Sequence, residues 1–150
     1  MKKIAITIMS VIAILAMMVS LTGCTEGDTT TTTTKSDFSK VGSYTLDANN
    51  EVFVYYDSDT KVMYQFIDGY KAGASIVMYN ADGTMATYDM STNVNEYIKL
   101  VSKTSISTNN TVYKYYDTVT KVLYQYVDGY ECCGVTVMRN PDGTIATYSE

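Results

Sequence analysis

Asp57, Asp68 and Asp82 recur sixty residues on, as Asp117, Asp128 and Asp142. Paired carboxylates are the working groups of glycoside hydrolysis, one as acid and one as base or nucleophile. Each of these acids, however, begins or lies within a turn signal, and Asp68 and Asp82 directly precede glycine. Hydrogen bonding from a short acid to its neighbouring backbone accounts for that placement, so none is assigned a catalytic role. Histidine is absent, which removes the commonest general base and metal ligand and excludes Ser-His-Asp and Cys-His catalysis. Asp57-Ser58-Asp59 has the alternate carboxylates with which a calcium loop opens. The second copy reads Asp117-Thr118-Val119, and neither copy continues to a terminal glutamate. No metal and no cofactor is expected. Cys132 and Cys133 are adjacent. A disulfide between them would be strained, because neighbouring Cα atoms lie about 3.8 Å apart against a usual ~5.5–6 Å. The other reading is two small residues filling a position where the first copy has Ala72-Gly73.

Binding chemistry is better represented. There are fifteen tyrosines and no tryptophan. Tyrosine combines a rigid apolar face with a polar tip, which suits sugars, peptides and proteins. Tyr55, Tyr56, Tyr64 and Tyr88 and their counterparts sixty residues on fall in strand-like segments, where most are expected to build a core. Tyr70 and Tyr130 follow Asp-Gly in what reads as the longest connection of each copy, residues 68–74 and 128–134. They are the candidate ligand-binding residues, expected to be partly exposed.

The elements that must hold these residues come from a duplication. Residues 52–88 align with 112–148 without a gap, with 21 identities in 37 positions. Each copy reads as about five short antiparallel strands rich in β-branched and aromatic residues. Turn chemistry is expected from Asn49-Asn50, because Asn tolerates positive φ, and from Asn-Ala-Asp-Gly and Asn-Pro-Asp-Gly. In copy 1 the strands are expected over 51–56, 62–67, 75–79 and 84–88, after a first one around Tyr44 and Leu46. Val94, Tyr97, Ile98 and Val101 fall at helical spacing, so one short helix is expected between the copies, the alternative being a loop leading into a strand. The fold class is therefore all-β, in two tandem homologous units, 38–90 and 91–150. A unit this small buries too little surface to be stable alone, so the copies are expected to pack together.

Ahead of the repeats lies a different kind of segment. Lys2 and Lys3 precede an apolar run ending in Leu21-Thr22-Gly23-Cys24, the pattern of an export signal. The ending resembles the lipobox of bacterial lipoproteins. That resemblance implies cleavage after residue 23, a diacylglyceryl group on Cys24, and a lipid-anchored, extracytoplasmic chain. An uncleaved transmembrane anchor is the rival reading. Residues 24–37, with Thr29 to Thr34 consecutive, read as a solvated tether. Without residues 1–23 the chain loses two of eleven basic residues and none of sixteen acids, leaving a net charge of −7. Such a balance, with Arg139 the single arginine, argues against nucleic acid as a partner.

The pattern Thr-Lys-Val-x-Tyr-Gln-x-x-Asp-Gly-Tyr followed by Val-Met-x-Asn-x-Asp-Gly-Thr, present in both copies, is similar to small uncharacterised domains in Firmicutes, some carried on lipoproteins. That family implies fold and location and lends no mechanism. Residues 80–87 also look like the hairpin of choline-binding cell-wall repeats, although the period here is sixty and tryptophan is absent. The functional expectation is a non-enzymatic surface binding module for a glycan, peptide or protein. The alternative is a structural or assembly lipoprotein pairing through sheet edges.

Overall fold

In the computed structural model, residues 37–91 and 96–150 are described. The export signal, Cys24 and nearly all of the tether lie outside them. Eight strands follow in order: β1 (Phe38–Asp47), β2 (Asn50–Asp57), β3 (Met63–Gly69), β4 (Ala72–Val77), β5 (Ile98–Ser107), β6 (Asn110–Asp117), β7 (Leu123–Gly129) and β8 (Cys132–Val137). They form two four-stranded antiparallel sheets, β1-β2-β3-β4 and β5-β6-β7-β8, within one compact unit. The fold is all-β and duplicated, as expected. Register repeats at +60 throughout: Phe38 pairs with Asp57 and Ile98 with Asp117, and the bulges between Lys40 and Gly42 and between Thr45 and Asp47 recur between Leu100 and Ser102 and between Ser105 and Ser107.

Several details differ from the sequence reading. Among the described residues there is no helix between the copies. Tyr97 precedes β5, and Ile98 and Val101 lie on it. Long-range pairing with β6 outweighs the weak helical spacing of four apolar residues. The expected fifth strand is reduced to isolated bridges, Tyr79 with Met85 and Val62 with Thr87. There Met63, Met78 and Ala86 close a ring of three backbone hydrogen bonds, each 2.9 Å. The segment is thus shared between the diverging ends of β3 and β4. No asparagine among the described residues takes a positive φ. At the β1–β2 turn Asp47 does the work, accepting from the Asn49 and Asn50 amides at 2.9 and 3.0 Å. The left-handed residues are instead Lys61, Lys71, Lys121 and Glu131, with Gly83 and Gly143 in the Asn-x-Asp-Gly turns.

The turn reading of the repeated acids holds for four of the six. Asp57 accepts from the Thr60 amide at 2.6 Å, and Asp117 from the Val119 amide at 2.9 Å. Asp82 and Asp142 each accept from the amide two residues on at 2.9 Å. Asp68 and Asp128 are inside β3 and β7. Cys132 and Cys133 are free thiols.

Alternation gives each sheet two faces. One face carries Val52, Val54, Gln65 and Ile67 in the first sheet. The other carries Phe53, Tyr55, Tyr64 and Phe66, paired directly across β2 and β3. The counterparts in the second sheet are Val112, Lys114, Gln125 and Val127 on one face and Tyr113, Tyr115, Tyr124 and Tyr126 on the other. The sheets stack with unlike faces together. Val52, Val54, Gln65 and Ile67 are fully buried, and so are the four tyrosines of the second sheet. Their counterparts sixty positions away are half-buried or exposed. Leu46 is 7% exposed while its counterpart Ile106 is 62% exposed. Full burial of each such apolar side chain contributes about 1.5–3 kcal/mol, so this one interface holds most of the core.

Candidate functional site

The candidate site is built by two hairpins. The expected long connections 68–74 and 128–134 are in fact two-residue turns. β3 runs to Gly69 and β4 starts at Ala72, leaving Tyr70 and Lys71; in the second sheet Tyr130 and Glu131 take their place. The second residue of each turn takes φ near +75° (Lys71 73°, Glu131 75°), which reverses the chain tightly and leaves the preceding tyrosine at the tip. Tyr70 is 64% exposed and Tyr130 58% exposed. The partial exposure expected from sequence is present.

Stacking of the sheets in the same sense brings these two tips together. Lys71 Nζ donates to Tyr130 Oη at 2.9 Å and lies 4.5 Å from the Tyr130 ring centroid and 5.4 Å from that of Tyr70. Glu131 is 4.0 Å from the same ammonium. The rings flank a depression of about 170 Å³ floored by Asn49, Asn109 and Asp128. A second hollow of about 290 Å³ lies on the first sheet's side of Tyr70, bounded by Asp47, Asn50, Glu51 and Asp68. Tyrosine rings thus stand over a floor of amides and carboxylates.

A buried polar cluster fixes that floor. Asn50 is buried, and its amide nitrogen reaches Asp128 Oδ2 at 3.0 Å, Asp47 Oδ1 at 3.1 Å and Tyr113 Oη at 3.2 Å, while Tyr126 Oη donates to its oxygen at 3.2 Å. Asp47 also accepts from Tyr113 Oη and from Lys103 Nζ, the latter at 2.6 Å. Burial works to raise the Asp47 carboxyl, but the hydrogen bonds from Lys103, Tyr113 and Asn49 prevail and hold it well below the usual carboxylate range. Burial pushes the Tyr113 hydroxyl up, and so does its bond to Asp47. Lys103 is raised by the same carboxylate. Apart from the Asn49 and Asn50 bonds to Asp47, these contacts join one sheet to the other, so the cluster is complete only when the repeats are docked.

Sequence reasoning singled out Tyr70 and Tyr130 but missed Lys71 and the Asp47 cluster. A signal was present. Asp47, Lys103 and Tyr113 stand where the other copy has Ser107, Ser43 and Phe53. These three departures from the repeat gather at a single contact. Among the described residues no group of three or more acids and cysteines is arranged to hold a metal. Comparison with protein-family models, with curated proteins and with solved structures returned no match.

Proposed function

We propose that the chain is a non-enzymatic binding module that takes a glycan between Tyr70 and Tyr130, displayed outside the cytoplasm by a lipid on Cys24. The observation that carries the reading is the convergence of these two exposed tyrosines, from different repeats, on one depression floored by Asn49, Asn109 and Asp128. An aromatic ring offers a flat apolar surface to the C–H face of a sugar, while amides and carboxylates bond its hydroxyls. The rigid two-residue turns keep the rings in place before a ligand arrives, which limits the ordering cost of binding. The anchor rests on the sequence: Lys2 and Lys3, the apolar run after them and the Leu-Thr-Gly-Cys ending.

The test is co-sedimentation of the full chain, reconstituted in lipid vesicles, with purified cell-wall polysaccharide. Tyr70→Ala and Tyr130→Ala should each weaken binding about two- to tenfold, the scale of one aromatic stacking contact. Unchanged binding in the double variant would remove the site from the function. For the anchor, Cys24→Ala should abolish incorporation of a clickable fatty acid; undiminished label would contradict it.

A further inference from the structure

The two sheets have the same pair of faces, and only one of each pair is used inside the molecule. The aromatic face of the second sheet (Tyr113, Tyr115, Tyr124, Tyr126) is covered by the aliphatic face of the first (Val52, Val54, Gln65, Ile67). The aromatic face of the first sheet is left on the outside. There Phe53 and Phe66 stack at 6.4 Å and Tyr55 and Tyr64 at 5.5 Å, half-buried by their own sheet-mates, with Phe66 36% exposed. At the other end of the stack the corresponding aliphatic face, Val112, Lys114, Gln125 and Val127, is also outside and half-buried. An interface between unlike faces leaves a different free face at each end, so it can repeat for as long as both end faces accept a further unit.

We propose that the outer face of the first sheet receives the outer face of the second sheet of another copy of this chain, so that copies stack head to tail. The internal interface is the template for the external one. Inside the molecule Tyr115 Oη donates to Gln65 Oε1 at 2.7 Å, and Tyr124 Oη accepts from the Tyr79 amide at 2.9 Å. The equivalent residues, Tyr55 with Gln125 and Tyr64 with the Arg139 amide, are all present. So are the apolar contacts, Val112 for Val52 and Val127 for Ile67.

The polar cluster changes in concert. Asp47, Lys103, Tyr113 and Tyr126 become Ser107, Ser43, Phe53 and Phe66. Both members of the ion pair are therefore lost together, and neither leaves a stranded charge, which would otherwise be costly. The substitutions that bring in charge are Lys40 for Leu100 on the receiving wall, Arg139 for Tyr79 and, on the incoming aliphatic face, Lys114 for Val54. The Lys114 ammonium would meet a wall of aromatic rings, a favourable partner for a cation. Lys40 already sits 4.5 Å from the Phe53 centroid on that wall. Thr104 and Thr136 stand where the internal interface has Tyr44 and Ile76, so less apolar area is buried and the external contact is weaker and reversible. This contact is independent of the glycan reading, because the Tyr70–Tyr130 depression is at the turn ends, away from the stacked faces.

The experiment places the photoreactive residue p-benzoyl-phenylalanine at position 55 of the full chain in membranes, illuminates it, and maps the adducts by peptide mass spectrometry. The same residue at position 115 serves as the internal control and should give an adduct within one chain near Gln65. From position 55 the expected product is a cross-linked dimer joined to Lys114, Gln125 or Val127 of a second copy. Phe66→Glu should abolish that dimer while leaving the internal adduct from position 115 intact, which shows that the variant still folds. Adducts from position 55 to residues 1–36 of the same chain, to the first sheet of a second copy, or to an unrelated protein would overturn the proposal, as would the absence of any adduct.

Discussion

Identical residues in the two copies meet different surroundings, and their substitution should cost accordingly. Tyr115 is fully buried and its hydroxyl is the partner of Gln65 Oε1, whereas Tyr55 is half-buried and bonds Ser75 at 3.0 Å near solvent. Tyr115→Phe strands a buried acceptor and should cost about 1–3 kcal/mol in denaturant unfolding. Tyr55→Phe should fall within about 0.5 kcal/mol of the parent. Tyr70→Ala and Tyr130→Ala should likewise be nearly neutral, while Tyr124→Ala should cost about 3–5 kcal/mol; comparable losses at all three would place the turn tyrosines in the core. Asp47 supplies a pH signature. Its folded-state pKa is lowered by Lys103 and Tyr113 against the effect of burial. Its stabilising contribution is therefore fully present above the ordinary value of 3.8 and declines as pH falls below it towards the folded-state value. Asp47→Asn should flatten the acid limb of the stability–pH curve; an unchanged limb would show that other carboxylates set it.

Strands and the duplication were legible because alternation and an ungapped offset of sixty are strong local signals. The helical reading fails at Ile98 and Val101, Val94 lying outside the described residues, because apolar residues at helical spacing say nothing of β6, to which Ile98–Ser107 pairs along its length. The apparent long loops were misread because Asp68-Gly69 and Ala72-Gly73 look like turn chemistry, yet they pair across β3 and β4. The tips Tyr70 and Tyr130 were legible as exposed; their convergence was not, since it depends on which faces stack. Turn geometry gives a test at this scale. Gly143 has φ +86° with open space beside it, and Gly134 lies in β8 with equally open space where a methyl group would stand. Gly143→Ala should therefore destabilise by about 1–2 kcal/mol through backbone strain alone, and Gly134→Ala should stabilise by about 0.5–1 kcal/mol. Equal effects in thermal unfolding would contradict the left-handed turn.

As a whole, the molecule is two like units stacked through unlike faces. Residues 38–90 alone would expose Val52, Val54, Met63, Ile67 and Met78, all buried here. That fragment should be unfolded or self-associated by size-exclusion chromatography and near-ultraviolet circular dichroism; a cooperatively folding monomer would show that the interface is dispensable. The asymmetry of the two ends could not have been foreseen from identities alone. It shows in departures from the repeat, such as Lys114 for Val54 and Asp47 for Ser107, whose meaning depends on knowing which face is covered. The most direct test is tyrosine nitration of the dilute chain, quantified residue by residue in mass spectra. Tyr70 and Tyr130 should react first and Tyr55 and Tyr64 more slowly, while Tyr113, Tyr115, Tyr124 and Tyr126 stay protected until the chain unfolds. Reaction of Tyr115 and Tyr124 as readily as Tyr55 and Tyr64 would mean that the sheets do not stack aliphatic face on aromatic face, and the account would fail.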